Sequence, residues 1–316
     1  MNILVTGGFG FIGHQVASNL QQLGHNVCVI DCAEDYNIMA NEELSFLYNQ
    51  RIDKLTNTKF FKINIIDTEK VEKVFCDNKF DIVIHCASAP RQKIVASDPV
   101  KYSQSMIQGT INLLELCKNY SIGKFVLISS SMVYGNFKNN TTEDMLCNPI
   151  NLYGILKYSG ELLVKNYSKY FDYTIIRPSA VYGPYDCKDR VIAKYLISAM
   201  KNDKLIINGV NEHLDFSYID DVAKGITNAS LSSNTKNKTY NLTRGESVSL
   251  LDAANLIIQI VGNGVIEIRE KETDFPSRGS LCIARARKDF GYEPTINIEQ
   301  GLKLYYEWIR HTIFWA

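Results

Sequence analysis

The chain opens on an apolar run, Asn2 to Thr6, that breaks into Gly7-Gly8-Phe9-Gly10-Phe11-Ile12-Gly13 and continues through Val16 and Leu20 at helical spacing. A strand that ends in glycines and turns at once into a helix commits the chain to a βαβ beginning, because glycine permits the tight turn and the close approach of helix to strand. The same arrangement points the free N–H groups and dipole of the helix at the space beyond the strand, which suits a pyrophosphate; such a turn by itself also serves packing alone. The second apolar run narrows the choice. Asn26 to Ile30 ends at Asp31, eighteen residues after Gly13, where a carboxylate accepts from adenosine ribose hydroxyls and repels a 2′-phosphate. Cys32, Ala33, Glu34 and Asp35 follow without a cation to attract one. The expectation is NAD rather than NADP, with Gly7, Gly10, Phe11, Ile12, Gly13 and Asp31 as cofactor residues.

Strands and helices keep alternating through the first half. Lys59–Ile63, Asp81–His85, Lys124–Ser129 and Tyr173–Arg177 read as strands, and Val100–Cys117 and Asn151–Phe171 as helices, with a helical excursion between Asn37 and Asn57. Alternation of this kind implies a parallel sheet that binds ligands at the carboxyl ends of its strands. Beyond Pro178 the pattern loosens: helices are expected over Asp189–Met200, Leu250–Val261 and Ile298–Arg310, and short strands near Lys204–Ile207 and Val265–Ile268. The fold class is therefore α/β, a Rossmann-type doubly wound parallel sheet with a smaller mixed α/β substrate-binding lobe. The expected division is residues 1–178 as the NAD-binding domain, with 215–245 returning to it, and 179–214 plus 246–316 as the substrate lobe.

Charge excludes some partners. Lys+Arg and Asp+Glu are equal at 34 each in 316 residues, so neither a nucleic acid nor an anionic membrane is the expected main ligand. With no signal-peptide pattern and no span of roughly twenty apolar residues, a cytoplasmic protein is expected. The eight cysteines contain no Cys-x-x-Cys and read as free thiols, with no metal site expected.

Three Tyr-x-x-x-Lys matches occur, Tyr120/Lys124, Tyr134/Lys138 and Tyr153/Lys157. Gly123 breaks the first, and the second sits in a loop after a strand. Only Tyr153/Lys157 opens a long helix, where side chains at i and i+4 share a face. That placement matters because bringing a phenol's pKa from about 10 to about 7 takes ~4 kcal/mol, within reach of a fixed ammonium and a cofactor's positive charge. Tyr153 is the expected general base, with Lys157 beside it. The strand end Ser129-Ser130-Ser131 supplies hydroxyls to the same place, either to relay a proton or to satisfy loop backbone.

Taken together, the glycine turn, His85-Cys-Ala-Ser88, Gly109-Thr-Ile-Asn-Leu-Leu-Glu115, the serine strand, Tyr153/Lys157, Arg177-Pro-Ser-Ala-Val-Tyr-Gly-Pro184, Asp215-Phe-Ser-Tyr-Ile-Asp-Asp221 and Gly291-Tyr-Glu-Pro294 resemble the extended short-chain dehydrogenases/reductases of the NAD-dependent nucleotide-sugar epimerase/dehydratase family. The resemblance spans nearly the whole chain. It implies Ser130, Tyr153 and Lys157 as catalytic residues and adds Asn64, Ile65, Ala87, Ser88, Tyr153 and Lys157 to the cofactor contacts. It also implies Ser130, Ser131 and Arg278 at the substrate, a nucleotide-diphospho-sugar, and a homodimer. Arg91 and Lys93 either contribute at the sugar end or are solvated loop charges.

Departures from the family pattern shape the expected reaction. Family dehydratases carry an acid pair where this chain has Ser131 and Met132, so the expectation is an enzyme that is not a dehydratase. Leu214 and Ala180 replace a family Arg and Asn that touch the substrate. The leading expectation is oxidation at C4 as a nucleotide-sugar 4-epimerase. The alternatives are a 4-dehydrogenase or 4-ketoreductase with net redox change, and a noncatalytic nucleotide-binding relative.

Overall fold

A computed structural model describes residues 1–36, 40–271 and 275–312. Its first half runs β1 (Asn2–Thr6), α1 (Phe11–Gln22), β2 (Asn26–Asp31), α2 (Asn41–Ile52), β3 (Lys59–Lys62), α3 (Thr68–Asp77), β4 (Ile82–His85), α4 (Gln92–Ser97), α5 (Pro99–Ser103), α6 (Gly109–Asn119), β5 (Lys124–Ile128), α7 (Leu152–Asn166) and β6 (Asp172–Arg177). The second half holds β7 (Val181–Tyr182), α8 (Val191–Met200), β8 (Lys204–Asn208), β9 (His213–Leu214), β10 (Ser217–Tyr218), α9 (Ile219–Leu231), β11 (Lys238–Asn241), β12 (Val248–Ser249), α10 (Leu250–Val261), β13 (Val265–Arg269), α11 (Ala284–Phe290) and α12 (Ile298–Arg310).

Seven strands form one sheet in the order β3-β2-β1-β4-β5-β6-β11, and every pair in it is parallel. The fold is Rossmann-like. Side chains alternate between the sheet's faces with period two. Ile3 and Val5 pack in one core with Val16, Ala17 and Leu20 of α1, whereas Leu4, Cys28 and Ile30 pack in the other with Leu113, Leu114 and Cys117 of α6. Because β1 pairs with β2 on one side and β4 on the other, the chain order reverses there and opens a crevice at the strands' carboxyl ends. The smaller lobe adds a parallel pair, β8 with β13, and an antiparallel pair, β9 with β12.

Two helices differ from expectation. The Val100–Cys117 helix is broken by a π-helical turn over Gln104–Gln108, where Thr110 Oγ1 donates to the Met106 carbonyl at 2.7 Å and also contacts His85 Nε2 at 3.0 Å. The helix expected to reach Phe171 stops at Asn166, because the chain turns through Tyr167 and Tyr170 to stack Phe171 on Tyr167. The excursion expected over Asn37–Asn57 contains α2; residues 37–39 lie outside the described residues.

One buried polar network ties the sheet's carboxyl edge to α7. Arg177, the last residue of β6, pairs with Glu161 of α7 through Nη2–Oε2 (2.6 Å) and Nε–Oε1 (2.8 Å), and both side chains are almost wholly buried. Ser129 Oγ donates to Glu161 Oε1 at 2.6 Å. Arg177 Nη1 donates to the Tyr134 hydroxyl (2.8 Å), which in turn donates to Asn241 Oδ1 of β11 (2.7 Å). The Asn241 amide donates to Glu143.

Removing one partner of a buried pair strands the other charge. Glu161→Gln is therefore expected to lower unfolding stability by about 3–5 kcal/mol. The exposed Glu299–Lys303 pair on α12 is the control: Glu299→Gln should move it by ~0.5 kcal/mol or less. Urea denaturation of both variants measures the contrast, and equal small losses would contradict it.

Candidate active site

The crevice at the switch point continues into a single cavity of about 1090 Å³ that runs from the glycine turn to the smaller lobe. At its β1 end, Gly7 sits at φ +71°, and a Cβ there would stand 2.6 Å from the Ala87 amide nitrogen; a Cβ on Gly13 would stand 2.1 Å from the Gly7 carbonyl oxygen. Both positions require glycine. Gly10 is the N-cap of α1 and no side chain caps the helix, so its opening amides suit a pyrophosphate. Phe11 and Ile12 line the cavity beside them.

Asp31 lies at the tip of β2 with Oδ2 accepting from the Phe9 amide (2.8 Å) and Oδ1 from the Ala33 amide (2.8 Å). These contacts fix the carboxylate while leaving each oxygen a further acceptor site. Burial pushes its pKa up, and the two amides oppose that. Asn64, Ile65, Ala87 and Ser88 also line this half; Asn64 Oδ1 accepts from the Ile66 amide, and Ser88 Oγ donates to the Ala89 carbonyl. The residue set fits a dinucleotide with an unphosphorylated adenosine ribose.

The structure brings Ser130, Tyr153 and Lys157 together. Ser130 follows β5 in extended backbone, its Oγ accepting from the Met132 amide at 3.2 Å, and its hydroxyl favours the ionised form of the Tyr153 phenol. Asn151 caps α7 by accepting from the Gly154 amide (3.0 Å), which sets Tyr153 in the helix's first turn. Lys157 stands one turn further on, and its Nζ donates to the Ile128 carbonyl at 2.9 Å, 5.9 Å from the centre of the Tyr153 ring. Burial pulls Lys157 down to about 8. It also pushes the Tyr153 phenol upward, against the Ser130 hydroxyl and the charge of Arg190. The lowered phenol expected from Lys157 is thus not produced by the protein's own groups, because desolvation outweighs them.

The other two Tyr/Lys pairs lie elsewhere. Tyr120 meets Cys76 Sγ at 2.8 Å, with Lys124 bound to the Ala229 and Ser232 carbonyls, and Tyr134 belongs to the Arg177 network. His85, held between Thr6 Oγ1 (2.7 Å) and Thr110 Oγ1 (3.0 Å), is brought to about 3 by burial and stays neutral.

The far half of the cavity is rich in cations. Arg278 lines it with its Nε buried and without a hydrogen-bond partner among the described residues. Burial and the like charge of Arg190 bring Arg278 down to about 10. Ser131 Oγ donates to Ser179 Oγ at 3.1 Å. Lys93 lies over the Phe275 ring at 5.7 Å. Arg91 is ion-paired with Asp189, so it is neither a solvated charge nor an open one. Sequence reasoning missed Arg190 and Lys194, which share this lining, and Arg51, a buried cation at the end of α2. The i, i+4 spacing of Asp186 and Arg190 was the available signal: Asp186 Oδ2 lies 3.7 Å from Arg190 Nε. Arg51 carried no local pattern.

Residues 3–243 match the NAD dependent epimerase/dehydratase family. The chain is 30% identical to a UDP-glucuronate 4-epimerase of Thermodesulfobacterium geofontis over 321 residues, covering 98% of this chain and 96% of that one. It is 34% identical to a dTDP-D-glucose 4,6-dehydratase of Dictyostelium discoideum over 275 residues, 82% of this chain, and spans 62% of that protein's length. Among solved structures, a UDP-glucuronic acid 4-epimerase from Bacillus cereus in complex with UDP-glucuronic acid and NAD superposes with a TM-score of 0.90 at 29% identity, covering 98% and 99% of the two chains. The chain belongs to the NAD-dependent epimerase/dehydratase family.

One expectation is overturned. The absence of an acid pair at Ser131 and Met132 does not exclude dehydration, since a dehydratase is 34% identical over most of this chain. Two positions were too local a criterion: Asp186, Asp189 and Glu212 also line the cavity, and the Ser130, Tyr153 and Lys157 group suits either outcome.

The lysine's burial has a sign that can be checked. Its folded pKa of about 8 lies below the ordinary 10.5, so the cost of holding the ammonium is fully present below pH 8 and is relieved as pH rises from about 8 towards 10.5. In protein stripped of nucleotide, Lys157→Met should be more stable than the wild type at pH 7, and the gap should narrow by pH 10. Thermal unfolding at the two pH values measures it; a constant gap would contradict the buried ammonium.

Proposed function

We propose that this member of the family is a 4-epimerase of nucleotide-diphospho-sugars, with NAD held by Gly7, Gly10, Phe11, Ile12, Gly13, Asp31, Asn64, Ile65, Ala87 and Ser88. The observation that carries the reading is the Ser130–Tyr153–Lys157 group midway along one cavity, between the glycine turn and the cation-lined half. Bound NAD would supply a hydride acceptor and a positive charge. The chain's own residues do the rest. Tyr153 takes the proton of the sugar's C4 hydroxyl, and the Ser130 hydroxyl beside it steadies the oxygen as the ketone forms. Lys157 holds a cation one helical turn away and fixes the geometry against the Ile128 carbonyl. Return of the hydride to the opposite face, with Tyr153 giving the proton back, yields the C4 epimer without net redox change.

The two lobes divide the work in this reading. Residues 1–178 with 215–245 bind the cofactor, and 179–214 with 246–316 bind the sugar nucleotide. Arg278 has a buried donor without a partner among the described residues and would face the diphosphate, while Ser131 would face the sugar. Two-sidedness is supported by charge: Asp31 and Glu34 line the ribose end of the cofactor half, and Arg190, Lys194 and Arg278 line the other. Leu152, Ile155 and Leu162 form an exposed apolar stripe along α7. A homodimer closed across that stripe belongs to the same reading, with a mass in solution twice that of the chain.

Incubation with UDP-glucose and UDP-glucuronic acid, followed by proton NMR and the absorbance of bound NADH, tests the reaction. A C4 epimer formed with no added oxidant is the expected result. Tyr153→Phe should keep NAD and lose turnover by about 10³-fold, as removal of a general base does. NADH that accumulates until an oxidant is added would make the protein a dehydrogenase, and a 4-keto-6-deoxy product would make it a dehydratase. Either result overturns the epimerase reading.

A further inference from the structure

We propose that residues 183–190 form a clasp that retains the nucleotide cofactor, and that Arg51 is the positioning residue that sets it. The inference rests on the reading that this cavity holds NAD, and extends it to how NAD is kept.

The segment is held in a costly conformation. Tyr185 has φ +70°, a region that non-glycine residues enter only when surrounding contacts hold them there. Those contacts come from three directions. The Tyr185 ring packs against Trp308 of α12 (5.2 Å between centres) and His14 of α1 (5.5 Å), with the Lys54 ammonium 4.1 Å over its face. Its carbonyl accepts from Arg51 Nη2 (2.7 Å) and Nε (3.2 Å). Two ion pairs hold the outer part of the segment, Lys188 with Glu43 of α2 and Asp189 with Arg91 of the loop after β4.

Arg51 also touches the cofactor turn. Its Nη1 donates to the Phe9 carbonyl at 2.8 Å, and the Phe9 amide donates to Asp31 at 2.8 Å. One guanidinium therefore links the glycine turn, and through it the ribose-facing carboxylate, to the 183–190 segment. The closed form also carries an opposing push. Asp186 Oδ2, Asp189 Oδ1 and Gln92 Oε1 are buried and have no hydrogen-bond donor among the described residues. Opening the segment would hydrate all three, since a buried polar atom without a partner favours any arrangement that wets it. The ion pairs hold the segment closed, and the acceptor atoms left without a donor favour its opening. For a reaction that returns its hydride to the same sugar, slow cofactor exchange is what such a device provides.

The test is exchange of NAD from the loaded protein into an excess of its fluorescent etheno analogue. Lys188→Glu and Glu43→Lys should each speed exchange by about tenfold, the change that one lost charge contact produces. The double swap, which restores the pair with its charges reversed, should return exchange close to the wild-type rate. Arg51→Gln should be the fastest of the set; if it does not fold, the outer pair and its swap carry the test. Wild-type exchange rates in both single variants, or a double swap as fast as the singles, would overturn the clasp. A wild type that turned over no nucleotide-sugar would overturn the proposed reaction and leave this result standing, because exchange is read without substrate.

Discussion

The geometry of the Ser130, Tyr153 and Lys157 group depends on the buried pair between Arg177 and Glu161. Ser130 leaves the end of β5, and Tyr153 and Lys157 rise from α7; these elements meet through Ser129, Glu161 and Arg177. Two charges out of water are expensive, and a pair of this kind is stable only when its remaining donors are satisfied. Arg177 meets that condition by reaching Tyr134, the Glu143 carbonyl and Cys147 as well as Glu161. The pair contributes register more than raw stability: α7 cannot slide along the sheet without breaking it, so the phenol stays within reach of the Ser130 hydroxyl.

Burial sets the chemistry of the same centre. Desolvation moves Tyr153 up and Lys157 down to about 8, so two groups with nearly equal proton affinity in water are drawn apart. In the nucleotide-free protein the phenol therefore keeps its proton, and the amine gives up its own more readily than in water. The positive charge that a bound nicotinamide brings would favour the phenolate. The protein supplies the buried frame, and Arg190, the N-cap of α8, adds a cation.

Much of this was legible in the chain. The glycine turn, the carboxylate at the tip of β2 and the Tyr/Lys pair at the head of a helix are local patterns whose geometry follows from spacing, and each lies in the one cavity. The strand series was legible because buried parallel strands are continuous apolar runs. What escaped depends on contacts between distant residues. Arg51 gains its meaning from Tyr185, 134 positions away, and Arg91 from Asp189, far along the chain. The π turn before α6 arises where Thr110 serves both His85 and Met106. Reading Ser131 and Met132 as excluding dehydration failed for the converse reason: it gave two neighbouring residues authority over a cavity lined from many parts of the chain.

In the proposed epimerisation, C4 of the sugar loses and regains the same hydride while its hydroxyl proton passes to Tyr153. A UDP-sugar deuterated at C4, incubated with the protein in ordinary water, tests this most directly. The account predicts that the C4 epimer carries its deuterium at C4, as does the recovered substrate. Epimer formed with hydrogen from water at C4 would contradict it, because the carbon would then have exchanged a proton rather than returned a hydride.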